Sequence, residues 1–341
     1  MTDTAHALAT LGKKLCPWLK PTLEQLEQAR TAKRLGHAWL VVGPQGVGKL
    51  NLALVFAGRL LTDSPEEPAE LEAAQAVAAM RARHQPVDHH PDLHWIFPAE
   101  DKRTISVEQI RDVSEALALK AFRGPAKVVV IEPAEAMTTA AANALLKTLE
   151  EPADDTYLLL LSHQPGRLPA TIRSRCQQVS VALPSAEAVG AWLGSADAGR
   201  VAGLELLAGR SPLSMAEFIS EEKSINNNML LDILSDISGE KIDPQAVADQ
   251  WLKLDTELIL SWLTRALNAS IRARLAGRGS TPVTDPAGAT LHNPWRDLTL
   301  RALFEQYRRT ETLLSQLGSG INVELALKAL LVGFQPNRGR P

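Results

Sequence analysis

The sequence has few cysteines, no excess of one charge and no long hydrophobic run. Cys16 and Cys176 are the only two cysteines among 341 residues, and this count excludes a disulfide framework and a zinc site built from cysteines. Low cysteine content is typical of proteins from a reducing cytoplasm. The longest apolar runs, such as 128–131 and 158–161, are far shorter than the ~20 residues that a membrane-spanning helix needs. We therefore expect a soluble, cytoplasmic protein with no membrane partner.

The charge balance limits the kinds of partner that the chain can bind. Lys and Arg total 36 and Asp and Glu total 39, which gives a net charge of −3. Such a balance argues against binding nucleic acid over the whole surface, although a local basic patch stays open. Apolar residues make up 45% of the chain and charged residues 22%, as in ordinary globular proteins.

The first half of the chain alternates strand-like and helix-like segments, which predicts an α/β fold: a parallel sheet with helices on both faces. The predicted strands are 38–42, 93–97, 127–131 and 157–161, and the predicted helices are 49–61, 107–119 and 140–149. The second half shows only helical patterns, interrupted by a polar break at 226–228. Within it, residues 245–275 form one long amphipathic stretch. We predict three domains, namely 1–183, 184–224 and 225–341.

The segment Gly43–Leu50 lies between a predicted strand and a predicted helix, which is the context of a phosphate-binding loop. It fits seven of the eight positions of the pattern G-x-x-x-x-G-K-[ST]. Gly43, Gly46 and Gly48 would let backbone N–H groups approach a phosphate, and Lys49 would bridge phosphate oxygens. Leu50 replaces the hydroxyl that ligates Mg²⁺. Nucleotide binding therefore stays open, and the alternative is a glycine-rich turn that binds nothing.

A second loss follows the buried strand 127–131. An active ATPase carries Asp and then Glu at this place, whereas this chain carries Glu132 and Pro133. Glu132 could approach a metal ion, but Pro133 can neither accept a proton nor orient a water. The alternative, in which Glu132 and Pro133 are only a turn after the strand, also predicts that the chain does not hydrolyse ATP. We expect no ATP hydrolysis and no required cofactor.

Two further segments resemble a known family. Ala141–Pro152, with the sequence AANALLKTLEEP, resembles a helix of the bacterial clamp-loader ATPases of the AAA+ class. Leu168–Cys176, with the sequence LPATIRSRC, carries the Ser-Arg-Cys signature of the same family. The resemblance is strongest over residues 36–180 and returns weakly at 318–322. It implies an AAA+ P-loop domain, a small helical lid domain and a C-terminal helical collar.

Within this family, a decayed P-loop beside an intact Ser-Arg-Cys is similar to the stator of the DNA polymerase III clamp loader. The resemblance implies a ring with motor subunits of the gamma/tau type and a delta subunit, which places a sliding clamp on primed DNA. Arg175 would be an arginine finger that reaches ATP on a neighbouring motor subunit, and Ser174 would help to position it. Ser162 falls at the sensor-1 position, where the alternative is a strand-end hydroxyl that faces solvent. Leu213 falls where the sensor-2 arginine is expected.

The chain also departs from the family. Motor and stator subunits usually carry a four-cysteine zinc module, but residues 62–91 contain no cysteine, so we expect no zinc. A histidine-rich segment replaces the module, and a solvated loop is favoured over a metal site there. Its candidate ligands are His84, Asp88, His89, His90, Asp92 and His94. Four arginines downstream form a basic stripe for which a solvated helix face is favoured over a DNA or subunit contact. They are Arg265, Arg272, Arg274 and Arg278.

The leading hypothesis is thus a clamp-loader subunit without enzymatic activity of its own, belonging to an assembly that is a DNA-directed DNA polymerase. Two alternatives stay open. One is an active AAA+ motor subunit, against which Leu50, Pro133 and Leu213 argue. The other is a separate nucleic-acid-binding module, which would show salt-sensitive DNA affinity on its own.

Overall fold

The chain is described from a computed structural model. It covers residues 15–32, 34–62, 91–99, 102–122, 124–193, 198–220, 225, 227–275, 294–295, 298–317 and 320–335. Contacts within the chain group into two compact units, Met1–Pro184 and Ser185–Pro341. The finer division into three domains, with boundaries after residues 183 and 224, stays a prediction.

The first unit is built on a parallel five-stranded sheet in the order β2-β3-β4-β1-β5. The strands are β1 (Ala38–Val42), β2 (Leu93–Ile96), β3 (Lys127–Ile131), β4 (Thr156–Ser162) and β5 (Gln177–Ser180). The predicted parallel sheet is confirmed. Strand β5 was not predicted, because it has four residues of which only Val179 is buried.

The helices of this unit pack on the sheet or on one another. They are α1 (Lys20–Thr31), α2 (Lys49–Thr62), α3 (Val107–Ala118), α4 (Thr139–Glu150) and the short α5 (Ala170–Arg173). Two of the helices begin at N-capping residues. Ser106 and Gln109 form a capping box at α3, and the Thr138 side chain accepts the Ala141 N–H at α4.

The centre of the sheet is buried on both faces, which explains its uninterrupted apolar runs. All five residues of β3 are buried, as are residues 158–162 of β4. Helices α3 and α4 contribute Ile110 and Leu145, both fully buried, to the core over the sheet. Since the strands are parallel, the loops after β1, β3 and β4 leave the sheet at the same edge, where ligands of α/β proteins bind.

The second unit is helical, as predicted. Its helices are α6 (Ala186–Trp192), α7 (Ala198–Ala208), α8 (Pro212–Ser220), α9 (Asn227–Ser238), α10 (Pro244–Trp251), α11 (Thr256–Leu275), α12 (Leu300–Gln316) and α13 (Val323–Val332). The prediction of one stretch over 245–275 is wrong, because the chain breaks between α10 and α11, where the Asp255 side chain accepts the Leu258 N–H at 3.0 Å. The predicted polar break at 226–228 is displaced: α8 ends at Ser220, but α9 already begins at Asn227, whose side chain accepts the Trp262 indole N–H at 3.0 Å.

Two arginines of the predicted basic stripe do not form a solvated face. The Arg265 guanidinium donates to the carbonyls of Leu206 and Leu207, at 2.6 and 2.5 Å, and so caps the end of α7. Arg274 donates to the carbonyls of Trp295 and Leu298. Arg272 is exposed, and Arg278 lies outside the described residues.

The fold class is therefore confirmed as an α/β P-loop-type domain followed by a helical part. Among the helices that the structure describes, none is both long and apolar enough to cross a membrane.

Candidate functional site

The predicted phosphate loop connects β1 to α2 with the geometry of such loops. Gly46 has a φ of 68° and Gly48 a φ of 96°, a left-handed conformation that side chains other than glycine rarely adopt. Gly43 lies so close to the end of β5 that an added Cβ would meet the Val181 carbonyl oxygen at 2.7 Å. Helix α2 then begins at Lys49. The loop thus retains the backbone shape that its sequence predicts.

The Lys49 side chain is turned inward onto this loop. Its Nζ donates to the carbonyl oxygens of Gly43 at 2.9 Å and Pro44 at 2.8 Å, and the residue is 6% exposed. Burial lowers the pKa of Lys49, and the charges of Glu132 and Glu135 act in the opposite direction. Two of the three ammonium donors are therefore used by the loop itself.

Leu50 is 4% exposed and belongs to the buried core. The motif requires a hydroxyl at this position to ligate Mg²⁺, whereas Leu50 offers an apolar side chain. The loop accordingly lacks the metal ligand, as its sequence predicts.

The segment ahead of the sheet packs against the loop, a contact that no motif predicts. The Trp18 indole N–H donates to the Val47 carbonyl at 2.9 Å, and the Cys16 N–H donates to the Asn51 side chain at 3.3 Å. The Leu19 side chain lies 3.0 Å from the place where a Cβ of Gly48 would be. Cys16 is fully buried, and burial raises the pKa of its thiol to about 11. These residues brace the loop from the side.

The structure brings Glu132 to the same edge of the sheet, directly after β3. Its backbone N–H donates to the Ile96 carbonyl at 2.9 Å, which extends the pairing of β2 with β3 by one residue. Pro133 follows through a cis peptide bond. Burial lowers the pKa of Lys49, and the charge of Glu132 acts against this effect, so the two residues interact electrostatically at this edge of the sheet.

Glu135 was missed in the sequence, yet it is a buried carboxylate at this edge. Its Oε1 accepts the backbone N–H groups of His163 and Gln164, both at 3.0 Å, and lies 2.8 Å from the His163 Nδ1. The side chain is 3% exposed. Glu135 thus fastens the segment after β4 to the turn after β3. Glu135 lies two residues beyond Pro133 and matches no motif. The only sequence signal was a glutamate placed soon after the apolar strand β3.

Ser162, the predicted sensor-1 residue, is fully buried at the end of β4. Its hydroxyl accepts the Gln164 N–H at 3.2 Å and stabilises the Glu135 carboxylate. Burial acts to raise the pKa of Glu135, but hydrogen bonds from its own backbone, from Ser162 and from the His163 N–H, together with the His163 charge, outweigh burial and lower that pKa. The strand-end hydroxyl facing solvent, the alternative prediction for Ser162, is therefore wrong.

Arg175 lies elsewhere, beside the C-terminal end of α4. Its Nη2 is 2.6 Å from Glu150 Oε1, and its Nη1 donates to the Thr171 carbonyl at 3.1 Å. The side chains of Arg175 and Glu150 are 35% and 50% exposed. An ion pair with this exposure contributes about 0.2–1 kcal/mol. The guanidinium is thus held on its own chain by contacts that water can replace.

The neighbours of Arg175 in the Ser-Arg-Cys signature have different surroundings. Ser174 is exposed, and its hydroxyl donates to the Thr171 carbonyl at 3.2 Å. Cys176 packs against the sheet core, and burial raises the pKa of its thiol to about 11. Arg173 is exposed and makes no ion pair within the described part of the chain.

The predicted sensor-2 segment lies at the end of α7 and the start of α8. Leu213 belongs to α8, and Arg210 reaches Glu205 at 4.0 Å. Of the candidate metal ligands, His84, Asp88, His89 and His90 lie outside the described residues. Asp92 is described, and its carboxylate accepts the backbone N–H groups of Phe122 and Gly124. Within the described residues, no group of three or more His, Cys, Asp or Glu could hold a metal ion.

Comparison with known proteins gives a consistent result. A family model described as DNA polymerase III, delta subunit, matches residues 18–184. The DNA polymerase III subunit delta-prime of Pseudomonas aeruginosa is 38% identical over 254 residues, which are 72% of this chain and 74% of that protein. The same subunit of Escherichia coli is 37% identical over 207 residues, 59% of this chain and 60% of that protein.

Among solved structures, the chain is similar to a DNA polymerase III gamma subunit-related protein of Thermotoga maritima, with 18% identity, a TM-score of 0.46, and coverage of 91% of this chain and 98% of that one. The relatives that match at the level of sequence decide the assignment. This chain belongs to the family of DNA polymerase III delta-prime subunits, the clamp-loader proteins that its motifs resemble.

Proposed function

We propose that this chain is the non-hydrolysing stator of a clamp loader and that it supplies Arg175 in trans to ATP bound by a neighbouring motor subunit. Its partners would be motor subunits of the gamma/tau type and a delta subunit. With them it would load a sliding clamp onto primed DNA in the bacterial cytoplasm. The family membership supports this proposal, since the relatives are named as subunits of DNA polymerase III.

The proposal that the chain does not hydrolyse ATP has three supports at one edge of the sheet. Leu50 is buried where Mg²⁺ needs an oxygen ligand. Pro133 stands where a catalytic glutamate would activate water. Lys49 already donates to Gly43 and Pro44. These observations support a loop that keeps the shape of a nucleotide site but lacks the groups that perform hydrolysis, and a structural role for it that requires no nucleotide is part of the proposal.

The single observation that carries the trans role is the position of the Arg175 guanidinium at the surface. The side chain of an arginine finger must extend from its own subunit to a phosphate bound by a neighbouring subunit, so it must be exposed and weakly held. Arg175 meets both conditions, because its pair with Glu150 is half exposed. Its planar group can donate two parallel hydrogen bonds to a phosphate.

The decisive experiment reconstitutes the clamp loader from motor, delta and this chain, and compares wild type with Arg175→Ala. A trans arginine contributes about 10³-fold or more to the rate at the site that it serves. We therefore expect the variant to assemble normally and to lose that site's share of the ATP turnover stimulated by clamp and DNA. Arg175→Lys should restore little, since an ammonium cannot replace the planar fork.

Arg173→Ala is the matched control, because Arg173 is an exposed arginine in the same segment, Leu168–Cys176. Equal turnover of the Arg175→Ala and wild-type complexes would refute the finger. Mg²⁺-dependent ATP turnover by the purified chain, unchanged by Arg175→Ala, would support the motor alternative. Salt-sensitive DNA binding by the isolated chain would support the nucleic-acid-binding alternative.

A further inference from the structure

The Arg175 guanidinium is held by groups of its own chain at the end of α4. Glu150 is the last residue of α4, and its Oε1 lies 2.6 Å from the Arg175 Nη2. The Thr171 carbonyl accepts from Nη1 at 3.1 Å. The C-terminal end of a helix also carries partial negative charge, which favours a cation beside it. Three sources of negative potential therefore hold the guanidinium at one place.

A phosphate and the Glu150 carboxylate compete for the same guanidinium. If both stayed within pairing distance, two anions would face each other across one cation and the carboxylate would occupy a donor that the phosphate needs. The Glu150 pair therefore opposes engagement of a neighbour's nucleotide, and full use of the planar fork is favoured when Arg175 exchanges Glu150 for phosphate oxygens. The exposure of both side chains makes that exchange possible without unfolding any element.

We propose that Glu150 is a positioning residue that holds the Arg175 guanidinium at the end of α4 until the phosphates of a neighbouring nucleotide replace the Glu150 carboxylate as its partner. This inference rests on the trans role of Arg175 proposed above. The pair sets a threshold, because only an anion that competes successfully with the carboxylate draws the finger away. Glu150 thereby lowers the turnover of the assembly in its resting state.

The test is Glu150→Gln in the reconstituted complex, with ATP turnover measured in the absence of DNA. Glutamine keeps the size and the hydrogen-bonding oxygen but removes the charge. An exposed ion pair changes an equilibrium by about 1.4- to 5-fold, so we expect resting turnover to rise by about that factor. We also expect the increase to shrink at high salt, because salt already screens the pair in the wild type.

Glu151→Gln is the matched control, since Glu151 is exposed next to Glu150 and makes no ion pair among the residues that the structure describes. Its turnover should equal that of the wild type. In the Arg175→Ala background, Glu150→Gln should change nothing, because its effect passes through the arginine. Thermal unfolding of each variant checks that folding is unaffected.

The outcomes separate this inference from the proposed function. If Arg175→Ala lowers stimulated turnover but Glu150→Gln leaves resting turnover unchanged or lower, the positioning role is wrong and the finger stands. An increase that persists without Arg175 also overturns the positioning role. If Arg175→Ala has no effect on stimulated turnover, the finger itself is refuted.

Discussion

Two cations of the first unit, Lys49 and Arg175, have opposite surroundings. Lys49 is 6% exposed and donates to two carbonyls of its own loop. The Arg175 side chain is 35% exposed and pairs with Glu150, which is 50% exposed. A buried charge can serve a new ligand only by giving up hydrogen bonds that it needs. An exposed pair exchanges one anion for another at little cost.

The nearby carboxylates differ in the same way. Glu135 is 3% exposed and is fixed by hydrogen bonds to the segment after β4, whereas Glu150 lies at the surface. At the predicted phosphate loop the charges are buried and stabilise the chain itself. Around Arg175 they are exposed to water. Substitutions at the two places should accordingly affect different properties, namely stability at the first and the turnover of the assembly at the second.

The largest loss of stability is expected from Glu135→Gln. Glutamine retains the size of the side chain but removes the negative charge from the oxygen that accepts the N–H groups of His163 and Gln164. Hydrogen bonds to a charged group contribute about 1.5–3 kcal/mol, so we expect the free energy of unfolding at neutral pH to fall by about 2 kcal/mol. Urea unfolding of the purified chain measures this difference.

The pH dependence gives a second test of the same residue. Hydrogen bonding holds the pKa of Glu135 below its ordinary 4.5 in the folded state. The resulting stabilisation is fully present above that ordinary value and is lost as the pH falls through the folded pKa. The difference between wild type and Glu135→Gln should therefore shrink in acid. A difference that does not change with pH, or an equal loss in the exposed control Glu151→Gln, would contradict this account.

Much of the fold could be predicted because periodicity and burial coincide. The continuous apolar run of β3 is buried in full, and the glycines of the phosphate loop have the positive φ angles that the motif requires. Strand β5 was missed because it is short and polar. The break between α10 and α11 was missed because Leu254 and Leu258 continue the apolar pattern across it, so that periodicity alone could not reveal where the chain turns.

The site was only partly predictable for a related reason. Motifs identified Lys49, Glu132, Ser162 and Arg175, since each lies at a fixed place relative to a strand or a signature. They could not identify Glu135, whose role arises from tertiary contacts between the ends of β3 and β4. Nor does the sequence reveal that Lys49 turns toward its own loop.

A smaller loss of stability is expected from Lys49→Met. Methionine fills similar space but leaves the carbonyls of Gly43 and Pro44 without this donor. The lowered pKa of Lys49 indicates that burial disfavours its charge, which offsets part of that loss. We expect about 1 kcal/mol in urea unfolding and unchanged ATP turnover of the reconstituted complex. Lys147→Met, at an exposed position of α4, is the control. If Lys49→Met lowered turnover as much as Arg175→Ala, the contrast between the two cations would be wrong, because the loop would then be an active site.

The smallest effect is expected from Ser174→Ala, which probes the exposed side of the comparison. The Ser174 hydroxyl donates to the Thr171 carbonyl at 3.2 Å, but backbone bonds also hold this turn: Ser174 N–H to Ala170 O at 2.9 Å and Arg175 N–H to Ile172 O at 3.1 Å. Surface substitutions of this kind change stability by less than about 0.5 kcal/mol, and the same free energy corresponds to about twofold in rate. We therefore expect stimulated turnover within about twofold of the wild type, as for Ser180→Ala on the exposed strand β5. A loss as large as that of Arg175→Ala would mean that the hydroxyl itself, and not only the backbone of the turn, sets the position of the finger.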